Sequence, residues 1–487
     1  MTVDQIMIFV LAAPFAGALL LGLFVKRHPW LRWTPALLSA GMFLANLNLY
    51  GRVMEDSLTP FPWVSLGSVG TFYLRADPLG IYFSLVICGV GFFALFYAAV
   101  FLQRNVSSPS FFVAMLTSLG SCLGVAYAGD LFTLYITFEV LAISSYQLVI
   151  LDRTPFSMRA GYRYLVLSLM AGLAVLGASL LINANIGTVV FGENPLITEA
   201  ASWSIGAFYL FLFGFGLKAG MFPLHIWLPD AHASAPAPAS AILSGILLKC
   251  GAVGLLRILF HVYSPEAQVA GGGMTTLTVL AVASIIVGSL GALMRFELKR
   301  LLAYSSIGQM GYILMGLTIK HPMALTAAVF HMSTHAILKS CLFLSAGTLI
   351  EASGKKDTRD LEGLAAWLPV TTGAFSVAAL GMIGIPPLNG FISKFYLGLG
   401  AAGANMKWGL AVLMISSFLN VLYYSPIVVS LLWKKREQPL SIPKERLQLT
   451  GLAVGFLALA CIIFGLGPLN APFVAAQKAC LWLMGGY

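Results

Sequence analysis

Apolar residues fill run after run along this chain, each about 20 residues or longer, with short polar stretches between them. A buried helix in a water-soluble core rarely needs more than about 14 such residues in succession, so the pattern predicts membrane-crossing helices. Fourteen spans follow, at 4–24, 30–50, 78–102, 109–128, 130–150, 159–184, 204–228, 236–261, 274–294, 299–318, 322–351, 366–396, 408–433 and 448–469. Two of them are interrupted. In the seventh, Gly-Leu-Lys-Ala-Gly-Met-Phe-Pro places Lys218 five residues before Pro223, and in the twelfth Gly-Ile-Pro-Pro-Leu-Asn-Gly places Pro386 and Pro387 ahead of Lys394. Proline removes a backbone donor and clashes with the preceding turn, so both helices are expected to break. Freed backbone groups at membrane depth must be buried in protein or face water, which is why such breaks commonly mark ion or substrate sites. Packing kinks are the plainer alternative. No stretch is polar and long enough for a soluble domain, so 1–487 reads as one all-α polytopic membrane domain. Asp4 rather than a basic stretch precedes the first span, which is therefore expected to be a retained helix and not a signal peptide.

Composition agrees: 59% of residues are hydrophobic and 9% charged, against about 25% charged in soluble domains. A net charge of +10 could suggest nucleic acid, but the 28 Lys and Arg residues alternate by connection. Eighteen lie in the connections after odd-numbered spans or in the first turn of the span that follows, five in the connections after even-numbered spans or in the tail, and the other five deeper within spans. The positive-inside rule then puts both termini on the non-cytoplasmic side. Cys88, Cys122, Cys250, Cys341, Cys461 and Cys480 are isolated in apolar runs, without ligand or disulfide spacing. A nucleotide-binding glycine fingerprint is also absent. No cofactor is expected in this chain; flavin, iron–sulfur or nickel–iron centres would belong to partner subunits.

Charges inside the spans carry the functional signal, because one at the bilayer centre costs at least about 2.5–3.5 kcal/mol on insertion scales. Glu139 is the one acidic or basic side chain within Leu131–Ile150 of the fifth span, Lys218 and Lys249 occupy the seventh and eighth, and Lys394 the twelfth. Burial disfavours the charged form of either residue type, and a Glu–Lys contact opposes that. A Glu139–Lys218 contact that forms and breaks could therefore switch the lysine's proton affinity, whereas a static pair would only fix packing. In the eleventh span, His331, His335 and Lys339 recur every four residues, so one helix face carries all three with about 6 Å between neighbours. Imidazole both donates and accepts near physiological pH, which suits a proton ladder; backbone-bonded core histidines are the alternative, and no third ligand supports a metal. His225, Asp230 and His232, around Trp227 and Pro229, are either an ion entrance or helix caps. Asp77 reads as a cap, and Arg257, ending the eighth span, as a side chain that snorkels.

Taken together, Asp130-Leu-Phe-Thr-Leu-Tyr-Ile-Thr-Phe-Glu139, Gly216-Leu-Lys-Ala-Gly-Met-Phe-Pro-Leu-His-Ile-Trp-Leu-Pro-Asp230, the stretch from Leu298 to Gly311, the His331–Lys339 ladder and Gly384-Ile-Pro-Pro-Leu-Asn-Gly-Phe-Ile-Ser-Lys394 resemble a known family. It comprises the antiporter-like subunits of respiratory complex I, membrane-bound hydrogenases, formate hydrogenlyases and Mrp sodium/proton antiporters. The resemblance implies two inverted five-helix repeats, at 109–261 (spans four to eight) and 274–433 (spans nine to thirteen). It also implies that Glu139 partners Lys218, that Lys249 is central and that Lys394 lies on the exit side. Homologous antiporter-like subunits, other membrane subunits and the lipid bilayer are the implied partners, in a bacterial or archaeal plasma membrane. One complex I class carries glutamate where Lys394 stands, so this chain is similar to the lysine-bearing classes. Leu-Pro-Asp-Ala-His-Ala-Ser-Ala-Pro and the two-histidine ladder look closer to the hydrogenase and Mrp side. The expected function is translocation of protons, or of Na+, within a redox-driven complex, with Mrp-type antiport and an inert membrane scaffold as the competing readings.

Overall fold

In the computed structural model the described residues are 2–25, 28–55, 59–65, 71–102, 108–434, 444–466 and 471–485. The expected basic residues Lys26, Arg27, Arg104, Lys435 and Arg436 lie outside them. Of the described residues, 82% are helical. Nine helices among the described residues are long and apolar enough to cross a membrane, and Pro369–Ile383 and Leu447–Ile463 are shorter apolar helices.

Helices α1 (Val3–Phe24), α2 (Thr34–Glu55), α3 (Pro78–Phe101), α4 (Ser108–Tyr127), α5 (Leu131–Val149) and α6 (Pro155–Ile186) run through the first third. The seventh predicted span is broken as expected. Helix α7 (Ser202–Lys218) stops at the lysine, Gly220 turns the chain at φ +69°, and α8 (Leu228–Ser234) resumes after a short 3-10 turn. Then comes Ala237–Val262, here α9, whose apolar core is wholly enclosed by the rest of the chain. It carries two π-type segments, Leu243–Leu247 and Ile258–Val262, which release backbone carbonyls for other donors.

The second half continues with α10 (Gly273–Leu293), α11 (Leu298–Thr318) and the 32-residue α12 (Pro322–Ser353). The twelfth span is also broken, into α13 (Pro369–Ile383) and α14 (Asn389–Gly403), around Gly384 at φ +96° and Pro386-Pro387. Helices α15 (Lys407–Trp433) and α16 (Lys444–Ile463) follow. A final helix, α17 (Ala471–Leu483), lies beyond the predicted spans; its 13 residues with Gln477 and Lys478 are too short and polar to register as one, yet it buries Phe473, Ala476 and Cys480.

Not everything is helical. Strands β1 (Phe61–Ser65) and β2 (Thr71–Leu74) pair antiparallel, and β2 continues into short extended stretches. Leu74 bridges Ala128, Asp130 bridges Val190, and Ile197 bridges Tyr263. These pairings satisfy one another's backbone groups and close one face of the bundle, at the same end as the C-terminus of α9.

Small residues allow the tightest helix crossings. A Cβ on Gly288 of α10 would lie 2.3 Å from the Gly308 backbone nitrogen of α11, closer than real Cβ atoms come. Gly288→Ala must therefore push α10 from α11, at a cost of about 1–3 kcal/mol for overpacking. We expect a lowered melting temperature of the detergent-purified protein, and an unshifted melt would show that this crossing yields without strain.

Candidate functional site

The candidate site is assembled around α5, α6, α7, α9 and α12. Asp130 caps α5 by accepting from the Phe132 and Thr133 backbone N–H groups at 2.7 and 2.8 Å, which fixes the turn on which Glu139 projects. Glu139 is half-buried against α6, where its Oε1 has no hydrogen-bond partner and a Cβ on Gly172 would meet it at 1.4 Å. Lys218 ends α7 fully buried. Among the described residues no ion pair within 4.0 Å joins its ammonium to Glu139, although the two charges are close enough to interact. The ammonium donates instead to the Tyr164 hydroxyl at 2.8 Å, and Tyr164 in turn meets Ser145 Oγ at 2.5 Å. The aromatic faces of Tyr164 and Phe138 lie 5.0 and 5.4 Å from the same Nζ, so two rings also attract the buried ammonium.

Beyond Lys218 an unbroken line of hydrogen bonds crosses the molecule. Lys249, fully buried on α9, donates at 2.6 Å to the carbonyl of Ser244 within the first π-type segment. The hydroxyls of Ser244 and Ser306 are 2.7 Å apart, and Ser306 donates to the Leu302 carbonyl at 2.9 Å. That carbonyl also accepts from Lys339 at 2.8 Å. Lys339 lies 3.4 Å from the Tyr424 hydroxyl, which contacts Ser305 Oγ at 2.9 Å; Tyr423 joins Ser305 at 3.1 Å and Asn420 Oδ1 at 2.6 Å. Asn420 donates to the Met382 carbonyl at 3.2 Å, and Lys394 donates to the same carbonyl at 2.6 Å and to Ile383 at 3.1 Å. Met382 and Ile383 end α13, so the proline break supplies the carbonyls that hold Lys394.

The histidine ladder is on one face as predicted, with the His331 and His335 rings parallel at 6.1 Å. Its hydrogen bonds run sideways, because 6 Å of rise is too far for a direct bond. His331 contacts Ser393 Oγ at 2.8 Å and Gln309 Oε1 at 3.0 Å, while neither ring nitrogen of His335 has a partner. The entrance trio does not come together. Asp230 pairs with Arg163 at 2.9 Å and Arg300 at 3.3 Å, His225 packs on Phe222, and His232 is buried with its ring on Phe343. The loop just after His232 instead borders a cavity of about 290 Å³ lined also by Asp152, Glu297, Lys299, Glu351 and Lys356. Nearby, outside the spans, hydrogen bonds from Arg359 hold the Asp357 carboxyl below its usual range. Arg257 does not snorkel: it is wholly buried and ion-paired with Asp77 at 2.5 Å, because the extended stretches of the closed face cover the end of α9.

Sequence reasoning missed Tyr164, Ser244, Ser305, Ser306, Asn420, Tyr423 and Tyr424. The signal for the last group was present, since Asn420, Tyr423 and Tyr424 are spaced to share one face of an otherwise apolar helix.

This architecture, with two broken helices and a buried line of lysines, is that of an antiporter-like membrane subunit. The chain belongs to the family described as NADH:quinone oxidoreductase/Mrp antiporter, transmembrane, whose profile matches residues 128–420. NADH-quinone oxidoreductase subunit N of Desulforudis audaxviator is 35% identical over 374 residues, 75% of this chain and 74% of that one. A Na(+)/H(+) antiporter subunit of Alkalihalophilus pseudofirmus is 29% identical over 424 residues, covering 86% and 85%. A chain of the Mrp complex from Dietzia sp. superposes with a TM-score of 0.88 over 99% of this chain and 98% of its own, at 22% identity, and so shares the fold.

Gly172→Ala leaves every charge in place but drives a methyl group into Glu139 Oε1. If the placement of that carboxylate matters, ion transport by the assembled complex should fall by about tenfold, about 1.4 kcal/mol of barrier. A variant that assembles and transports at the native rate would remove Glu139's position from the mechanism.

Proposed function

We propose that this chain is an ion-translocating subunit, moving protons, of a multi-subunit redox-driven membrane complex related to complex I and membrane-bound hydrogenases. The observation that carries the reading is the continuous hydrogen-bonded line from Lys249 through Lys339 to Lys394, in a region where each buried charge must justify its insertion cost. In this reading the chain crosses the bacterial or archaeal plasma membrane fourteen times, with both termini on the non-cytoplasmic side. Residues 109–261 and 274–433 form two inverted repeats. Protons enter from the cytoplasm through the charged cavity beside the Ala233–Ala237 loop, near His225, Asp230 and His232. They pass Lys249 and the His331, His335 and Lys339 helix and leave at Lys394, while Glu139 modulates Lys218. Redox centres, whether flavin, iron–sulfur or nickel–iron, reside in partner subunits, which include homologous antiporter-like subunits.

A second reading, exchange of Na+ for protons in an Mrp-type assembly, draws on the similarity to a Na(+)/H(+) antiporter subunit over most of both chains. Both readings use the same lysines, and the energy source separates them. The test is ion movement in sealed vesicles containing the intact assembly, followed with pH- and sodium-sensitive dyes, for native protein and Lys218→Ala. Proton uptake that requires an electron donor and vanishes in the variant is expected. Donor-independent exchange of Na+ for protons would replace the redox reading, and flux that ignores Lys218 would leave a scaffold.

A further inference from the structure

The closed face of the bundle holds a buried cluster that the lysine line does not use. Arg257 lies two turns beyond Lys249 on α9, about 12 Å along the axis. Its Nη1 bonds Asp77 Oδ2 at 2.5 Å and its Nη2 donates to the Ala126 carbonyl at 3.0 Å. Asp77 caps α3 through the Gly80 N–H at 2.8 Å, and only glycine fits at Gly80, where a Cβ would come within 2.5 Å of the Ala126 carbonyl oxygen. Arg75 joins from the strand side. It donates from Nη1 to the carbonyls of Phe191 and Gly192 at 3.0 and 3.3 Å, and its guanidinium lies 4.9 Å from the Trp482 ring centroid. His261 sits between Phe191 and Trp482, its Nε2 3.4 Å from Arg257 Nη1.

Two guanidinium groups therefore share one buried carboxylate, Arg75 at 4.0 Å and Arg257 in full contact, while Glu193, the other acid facing Arg75, is exposed and screened by water. Guanidinium stays protonated, so the excess positive charge is permanent, and weak screening lets it act over several ångströms. A fixed arginine at a constriction excludes cations and protons. We propose that Arg257, anchored by Asp77 and supported by Arg75, is a charge barrier that closes the lysine line to the aqueous phase beyond α9, so that ions reach Lys249 from the opposite face only. The role rests on the translocation reading, and it is a specificity role distinct from carrying the ion. A carrier group must gain and lose its charge, whereas this one must keep it.

The test measures passive proton entry into vesicles holding the assembled complex, driven by an imposed membrane potential with no electron donor. Driven transport is recorded in the same vesicles. Arg257→Gln should raise passive entry by about tenfold or more, the scale set by removing a unit charge from a weakly screened site. Arg257→Lys, which keeps the charge, should remain near the native leak. Should Arg257→Gln fail to assemble, Arg75→Gln removes one positive charge while leaving Asp77 paired, and a smaller but clear rise is expected. An assembled charge-removing variant with the native leak would overturn the barrier. Absence of driven flux in native vesicles would instead overturn the translocation reading and the barrier with it.

Discussion

Hydrocarbon supplies no hydrogen bonds, so every polar group carried into it must be answered from within the protein. Four lysines meet that demand in one way. Lys218 finds a tyrosine hydroxyl, and Lys249, Lys339 and Lys394 find backbone carbonyls. None of the ion pairs among the described residues includes any of them. The acceptors for Lys249 and Lys394 sit where helical regularity fails, whereas Lys339 shares the Leu302 carbonyl of the regular helix α11 with Ser306 through that oxygen's second lone pair. The π-type segment of α9 holds Ser244, and the end of α13 holds Met382 and Ile383. The helix irregularities and the lysines are thus one design feature, since each makes the other tolerable.

Arg257 meets the same demand in the opposite way. Its partner is a carboxylate at full contact, and breaking a buried pair by losing one member is strongly unfavourable, by about 3–5 kcal/mol. A group bound so is fixed in charge and place. A neutral carbonyl or hydroxyl exerts no comparable hold on an ammonium, and the lysine remains free to exchange its proton or shift its contacts. The division between movable and fixed charge follows α9 itself, with Lys249 along its middle and Arg257 toward the closed end.

Much of this was legible in the sequence because hydrocarbon penalises charge so heavily. Glu139, Lys218, Lys249, Lys339 and Lys394 stand out against apolar runs, and proline marks both broken helices. Hydroxyl and amide groups cost far less to insert, so Tyr164, Ser305, Asn420 and Tyr424 gave little contrast, although they form most of the line. Arg257 was misread because a snorkelling arginine and a covered one look alike until the extended stretches that cover it are placed. Those stretches, and α17 with Trp482, are too short for a span-length pattern to find. The motifs also leaned toward the hydrogenase and Mrp side, yet a complex I protein and a Na(+)/H(+) antiporter protein both align over most of the chain. Overall similarity of this extent does not separate these settings.

The chemistry of the line sets how it can work. Hydroxyls of Ser244, Ser306, Tyr424, Ser305 and Tyr423 can accept one proton while releasing another, but a carbonyl has none to release, and the Asn420 amide does not readily exchange roles. The Leu302 carbonyl therefore interrupts proton passage between Ser306 and Lys339, and Asn420 with Met382 interrupts it between Tyr423 and Lys394. The Ser244 carbonyl separates Lys249 from the Ser244 hydroxyl in the same way, so four segments remain, Lys249, Ser244 with Ser306, Lys339 to Tyr423, and Lys394, held in register by acceptors that transmit position and not protons. Buried polar atoms without protein partners are where ordered water is expected, and both ring nitrogens of His335, one turn from Lys339 and stacked on His331, are such atoms. The line is therefore a scaffold of position rather than one uninterrupted proton path, because carbonyls and an amide join its hydroxyl and lysine segments.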